Sequence, residues 1–307
     1  LNSLTEKIKR KAFDLGFTHV GIAKPEILID EADYLRKWIS SGYHASMEWL
    51  RRGLERRINP FNVFPDVKSI ICTGINYYKI PSYHKSDIKF KISRYALGKD
   101  YHIIIRHRLK DLLAYIKSLD SRAVGKIFVD DGAVMEKVWA VRCGIGWIGK
   151  NATLITKNIG SWVFIGEIFL NMELEYDSFA ENHCGNCTTC IDLCPTKAIV
   201  APYIIDTRKC ISYLTVEYKG MLSKELVKNF QNWVFGCDIC QEVCPWNRFA
   251  VPTSDKDILT YKDKIVSFLN ELQYLKREEF ERIFSDTPIK RAGYEGLMRT
   301  VRAVLEL

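Results

Sequence analysis

Eight of the chain's ten cysteines fall between residues 184 and 244, and their spacing constrains the fold more than any other feature. The run opens Cys184-Gly-Asn-Cys187-Thr-Thr-Cys190-Ile-Asp-Leu-Cys194-Pro195 and closes Cys237-Asp-Ile-Cys240-Gln-Glu-Val-Cys244-Pro245, with Cys210 alone between. The first part has the C-x2-C-x2-C-x3-C-P order of bacterial ferredoxins. There, three close thiolates hold one 4Fe–4S cube and the fourth, ahead of proline, ligates the other. The second part has the same tail but lacks its first cysteine, whose register falls on Val234. Cys210 is the available substitute. The spacing therefore predicts two sets: Cys184, Cys187, Cys190 and Cys244 on one cluster, and Cys194, Cys210, Cys237 and Cys240 on the other. Zinc is the plainer alternative, but it favours separated C-x2-C knuckles and does not explain three successive x2 spacings with two Cys-Pro ends. Disulfides would need an oxidising compartment, for which the sequence gives no sign.

A chain of 307 residues has room for two domains and a short appendage. At 47% apolar and 27% charged it has an ordinary globular mixture, which excludes fibrous and disordered classes. The first ten residues show no signal-peptide core, and no apolar run approaches the ~20 residues that span a bilayer. The nearest, Gly160 to Leu170, is interrupted by Glu167. A cytoplasmic protein is expected. The net charge of +8 permits nucleic-acid binding without requiring it.

Ahead of the cysteines, helical and strand patterns alternate. Ser3 and Glu6 form a capping box, followed by Leu4, Ile8, Ala12 and Leu15 at helical spacing. Phe17–Ala23 reads as a short strand, Glu31–Ser40 as a helix and Lys68–Tyr77 as a buried strand with Cys72 in the core. Tyr101–Leu119 reads as a long amphipathic helix, Gly125–Val129 as a strand, Ala133–Val141 as a helix and Ser161–Phe169 as a last strand. This predicts a layered α/β domain (α+β or α/β) over residues 1–175, a ferredoxin-like domain over 176–250 and a short helical segment over 251–307. In the tail, helices are expected near Asp263–Lys276 and Tyr294–Leu305.

Three stretches of the first domain carry too many special residues for scaffold alone. They are Arg56-Arg57-Ile-Asn-Pro60, Ser93-Arg94-Tyr95-Ala96-Leu97-Gly98-Lys99-Asp100-Tyr101-His102, and Val129–Glu136 continuing to Gly144-Ile-Gly146-Trp-Ile-Gly149-Lys150-Asn151. The last contains a G-x-G-x-x-G order, but it follows a helix rather than a strand and lacks the later acidic residue of a dinucleotide site. A turn whose glycines let backbone approach a large cofactor is the better reading. Asp130 stands at the end of a strand, where α/β folds place functional side chains. Its bland alternative is a helix cap, a role that Asp131 would fill equally well. His102, His107 and Cys143 read as structural.

Together these stretches resemble the epoxyqueuosine reductases, cobalamin-dependent iron–sulfur enzymes of tRNA modification. The resemblance rests on Arg57-x-x-Pro60, the 94–102 run, Val129-Asp130, Gly144-x-Gly-Trp-x-Gly-Lys-Asn151, both cysteine half-motifs and Cys210-Ile-Ser-Tyr-Leu-Thr215. It implies that the N-terminal domain binds cobalamin with its lower base detached, beside the two clusters that feed it electrons. Arg57, Ser93, Asp130, Leu154, Ile165, Ser212, Cys237 and Asp238 would then line the corrinoid, with Asp130 as proton donor. In the tail, Lys290, Arg291, Arg299 and Arg302 would contact phosphates of the tRNA anticodon stem-loop, and Tyr294 would stack on an unpaired base. A solvated helix face is the plain alternative for that charge run. The implied partners are tRNA and an external electron donor, the implied state a monomer. Two other classes compete with the reductase: a corrinoid reductive dehalogenase and an iron–sulfur electron carrier. The first is usually exported, and the second would not need the polar loops of residues 1–175.

Overall fold

The computed structural model describes residues 3–79, 89–260 and 262–307, the side chains of 262–264 excepted. The first part runs α1 (Leu4–Asp14), β1 (His19–Ala23), α2 (Ile29–Ser40), α3 (Glu48–Arg52), α4 (Leu54–Ile58), β2 (Ser69–Asn76) and β3 (Lys91–Ile92). It continues through α5 (Tyr101–Leu119), β4 (Gly125–Phe128), α6 (Glu136–Arg142), β5 (Trp147–Ile148), β6 (Leu154–Ile155) and β7 (Val163–Leu170). The cysteine region holds α7 (Thr189–Asp192), β8 (Ile199–Ala201), β9 (Ile204–Ile205), α8 (Ile211–Val216), α9 (Lys224–Val227), β10 (Trp233–Phe235) and α10 (Ile239–Glu242). The tail holds α11 (Lys256–Leu259), α12 (Lys262–Ser267), α13 (Arg277–Phe284) and α14 (Gly293–Leu305).

Local chemistry explains the best-defined ends. Ser3 Oγ accepts the Glu6 N–H and the Glu6 carboxylate accepts the Ser3 N–H, both at 3.2 Å, which satisfies two orphan donors of α1. At α5, Asp100 accepts the His102 N–H at 3.1 Å, so the helix starts where its apolar stripe of Ile104, Ile105, Leu109, Leu112 and Ile116 begins.

Four strands form one sheet in the order β1-β2-β7-β4, and every pair is antiparallel. Alternation of helix and strand left both α+β and α/β open; here the connections return the chain to antiparallel neighbours, as in the α+β class. Both faces are covered. Ile71, Ile75 and Ile168 pack under α1 and α5, while Ile70, Cys72 and Phe169 pack under α6 with Trp139. All eight residues of β2 are therefore buried, and its sequence shows no polar alternation.

Three expectations need correction. Helix α6 starts at Glu136 rather than Ala133, and neither Asp130 nor Asp131 caps it. The helix expected over Asp263–Lys276 is α12 followed by a 3-10 stretch at Leu269–Tyr274, and α13 was missed. The glycines of 144–149 serve the protein's own packing. A Cβ on Gly146 would lie 2.2 Å from the Ile155 carbonyl oxygen, and Gly144, at φ +71°, would meet that of Ser178 at 2.7 Å.

The three sequence segments share one core. Phe90, Ile92 and Leu97 from the first, Val234 and Phe235 from the second, and Leu269, Phe284, Leu297 and Val301 from the tail form a single apolar cluster. Within it β3 and β10 pair in parallel, with Ser93 N–H donating to the Phe235 carbonyl at 2.8 Å. Among the described residues no helix is long and apolar enough to cross a membrane.

Candidate active site and cluster sites

All ten cysteines are free thiols. Cys190 lies within charge range of Cys244, Cys184 and Cys187, and burial with these neighbours pushes its thiol up to about 11. Cys244 feels Cys184 and Cys187 in the same way. In the other set, burial and then Cys210 and Cys194, along with Cys190, push Cys240 well up, and Cys237 rises through burial and the proximity of Cys240 and Cys210. These charge contacts run within each of the two expected sets, Cys210 included, and between them at Cys190 and Cys240. Thiols crowded this way hold their protons until a metal displaces them. The first set lines a cavity of about 110 Å³ together with Lys150, His183 and Trp246. The His183 Nε2 there is buried without a partner, so the lining fits a cluster that supplies one. Cys72 and Cys143 are buried core residues, as expected.

Asp130 follows β4 in the left-handed region, at φ +54°, a conformation that turns its side chain out of the strand direction. Its Oδ2 accepts the Tyr101 O–H at 2.5 Å and lies 3.8 Å from His102 Nε2. Its own N–H donates to Glu136 Oε1 at 2.6 Å. The Asp130 side chain is 62% exposed, so it opens to solvent or ligand. Glu136 behind it has its carboxyl pushed up to about 8, first by burial and then by the Asp130 charge. Arg57 faces both acids from α4; it donates to the Val134 carbonyl at 3.1 Å, while its Nε is buried and unpartnered. His102, read from sequence as structural, holds Asp100 through Nδ1 at 2.6 Å while its Nε2 side faces Asp130. Tyr101 and Glu136 were missed as site residues. Tyr101 stood within the quoted 94–102 run, but nothing in spacing assigns its hydroxyl to Asp130.

Ser93 and Asp238 meet directly. Asp238 is fully buried, accepts the Ser93 hydroxyl, and takes the Arg94 N–H and Nη1 at 2.9 Å each. Arg94 Nη1 also reaches Glu242 at 2.7 Å. Because Asp238 stands between Cys237 and Cys240, this ion pair ties the 93–102 loop to the second cysteine set. Ser212 is half-buried near the start of α8, two residues after Cys210. Thr215 of that helix accepts the Gly236 N–H at 2.9 Å, which fixes α8 to the Cys237 loop. Leu154 is buried in the core under α6, with Ile165 packed against it.

The tail residues divide. Lys290 Nζ lies 3.9 Å from Asp100, and Arg291 pairs with Glu217 within charge range of Asp130 and Tyr101. Both are exposed, as is Arg302. Arg299 is not available to phosphate: Nη1 donates to the Tyr218 and Gly220 carbonyls at 2.6 and 2.9 Å, and Nη2 to Leu214 at 2.7 Å. Nor is Tyr294 free to stack on a base. Its O–H donates to the Leu275 carbonyl at 3.0 Å and its ring packs edge-on against Phe280. Both expectations are corrected, because an amphipathic pattern does not show which polar residues fold inward.

Comparison with known proteins agrees with this anatomy. The family model "4Fe-4S double cluster binding domain" matches residues 183–247, and "Epoxyqueuosine reductase QueG, DUF1730" matches residues 57–131. The epoxyqueuosine reductase of Cellulophaga algicola is 39% identical over 297 residues, covering 97% of this chain and 96% of the relative. That of Atelocyanobacterium thalassa is 41% identical over 309 residues, covering 99% of each. A crystal structure of epoxyqueuosine reductase with a tRNA-Tyr epoxyqueuosine-modified stem loop superposes with a TM-score of 0.90 at 29% identity, covering 98% of this chain and 80% of that one. The structure from Streptococcus thermophilus superposes with a TM-score of 0.87 at 30% identity, covering 97% and 80%. These relatives favour a reductase over a dehalogenase or an electron carrier.

Proposed function

The chain belongs to the epoxyqueuosine reductase family, and on that footing we propose that it reduces epoxyqueuosine to queuosine in the tRNA anticodon. The net change replaces an epoxide by a C=C bond, consumes two electrons and two protons, and releases one water. The observation that carries the reading is the placement of Asp130, with Tyr101, His102, Arg57 and the Arg291 cation, one short loop away from the second cysteine set.

Arg57, with its unpartnered buried Nε, and Ser93, Asp130, Ser212, Cys237 and Asp238 would hold cobalamin, whose amide-edged corrin ring offers both donors and acceptors to such a lining. For Leu154, buried in the core, and for Asp238, whose carboxylate is already engaged, contact would be through backbone or shape, and Ile165 would contribute shape alone. Once bound, cobalamin supplies a reduced metal able to attack carbon. Tyr101 donates to Oδ2 of Asp130, which leaves Oδ1 as the atom open to pass a proton to the departing oxygen. The second proton comes from solvent through the same exposed side chain. Cys184, Cys187, Cys190 and Cys244 would hold the cluster nearer the surface, where Cys187 is exposed, and Cys194, Cys210, Cys237 and Cys240 the one whose Cys237–Asp238 loop abuts Ser93; the pair would supply single electrons. Lys290 and Arg291 contact tRNA phosphates beside the Asp130 opening, and Arg302 contacts a phosphate from its exposed position on α14. An external one-electron donor and a monomeric state complete the proposal.

The test is anaerobic incubation of the reconstituted chain with an epoxide-bearing anticodon stem-loop and a chemical reductant, followed by mass analysis of the RNA. Loss of one oxygen is the expected result. A chain that carries cobalamin and both clusters yet leaves the RNA unchanged refutes the proposal.

A further inference from the structure

The first cysteine set has two companions that ligand spacing does not require. Lys150 reaches across from the turn after β5, and its Nζ donates to the carbonyls of Gly185 at 2.7 Å and Cys187 at 2.9 Å. Its ammonium is thus pinned at the wall of the cavity those cysteines line. His183, just ahead of Cys184, lines the same cavity. Its ring packs edge-on against Trp147 with centroids 4.9 Å apart, and its carbonyl accepts Trp246 Nε1 at 3.2 Å. Ring and backbone are therefore held, while Nε2 stays buried with no partner in the protein. A polar atom left so carries an unrecovered desolvation cost, which a sulfur acceptor inside the cavity would offset. The second set has a different surround: Asp238 stands beside Cys237 with Arg94 as its counter-charge. Lys137 lies within charge range of Cys240 but makes its hydrogen bond to the Ala152 carbonyl rather than to a cysteine backbone, while Asp192 is the anion nearest Cys187 in the first set.

An iron–sulfur cube gains negative charge when it takes an electron, so a fixed cation and an N–H donor at its sulfurs favour the reduced form and raise the potential. We propose that Lys150 and His183 raise the reduction potential of the first cluster above that of the second, so that a first electron from the donor rests on the exposed cluster. The step moves one electron from an external one-electron reductant onto the oxidised cube, with no proton or bond change. The inference rests on the two-cluster reading above and deepens it.

The experiment is a dithionite redox titration of the reconstituted full chain, followed by EPR, with iron and sulfide content measured in each variant. Lys150→Gln should lower the higher of the two midpoints by an amount of the order of a tenfold change in the one-electron equilibrium, about 59 mV. His183→Phe should lower the same midpoint, Lys150→Arg should hold it, and the lower midpoint should stay in place throughout. Unshifted midpoints in Lys150→Gln and His183→Phe overturn the inference, as does a shift confined to the lower midpoint. If Lys150→Gln fails to take up iron, His183→Phe decides alone, because it touches no backbone hydrogen bond. A wild-type chain without two clusters would instead remove the assignment underneath.

Discussion

Removing the Arg94 guanidinium should cost far more than removing a surface cation. The pair it forms with Asp238 is 6% and 0% exposed, and Asp238 also takes the Ser93 hydroxyl and the Arg94 N–H. Arg94→Met keeps the volume above Trp162 and both remaining donors to Asp238, but leaves a buried carboxylate without its cation. Breaking one side of such a pair costs ~3–5 kcal/mol. Asp238→Asn should cost less, ~1–3 kcal/mol, because Glu242 remains beside Arg94 at 2.7 Å as a counter-charge. The double variant removes both buried charges, so its cost should fall below the sum by ~0.5–3 kcal/mol. Anaerobic urea unfolding of the loaded chain, followed by far-UV circular dichroism, reads all four corners of the cycle. Visible absorbance should report loss of the second cluster in step with Arg94→Met unfolding. Two singles that each cost under about 1 kcal/mol, or a double equal to their sum, would refute the argument.

Asp130→Asn should keep cobalamin and both clusters while turnover falls by ~100- to 10,000-fold, measured by single-turnover mass analysis; near-normal turnover removes Asp130 as the acid. Glu136 holds its proton to about pH 8 when folded against an ordinary value of 4.5, so its contribution to stability is complete below the lower value and lost as pH rises through the higher. Glu136→Gln should therefore flatten the fall in melting temperature on the alkaline side; parallel curves would exclude this linkage. Lys290→Ala and Arg291→Ala should each reduce the slope of log affinity for an anticodon stem-loop against log salt by ~0.7–0.9, whereas an unchanged slope takes that cation off the RNA. Arg299→Ala should instead lower the melting temperature, since three carbonyls lose their donor.

Much of this was legible because it rests on local rules. The capping box at Ser3 and the full span of α5 follow from spacing alone. Counting offers Cys210 as a fourth thiolate, because one cysteine of the run is left over, and in the fold it lies within charge range of Cys194, Cys237 and Cys240. What escaped depends on partners distant in sequence. Antiparallel pairing of β2 with β7 joins strands some 90 residues apart, and no helix–strand rhythm specifies it. Arg299 reads as a solvated cation until the carbonyls of Leu214, Tyr218 and Gly220 are seen beneath it. Asp130 looked like a cap because strand–Asp–helix usually means one, yet α6 begins six residues later and its own Glu136 reaches back.

The short parallel pairing of β3 with β10 has a consequence for how the molecule breathes. Ile92 runs straight into Ser93, and Phe235 stands two residues before Cys237, so one ladder anchors the start of the polar loop and the second cysteine pair alike. That ladder is buried in the apolar cluster that residues 90–97 form with Val216, Val234, Phe235 and the tail. Its amides should then exchange with deuterium as slowly as any in the molecule, and the inner cube should outlast the outer one in air.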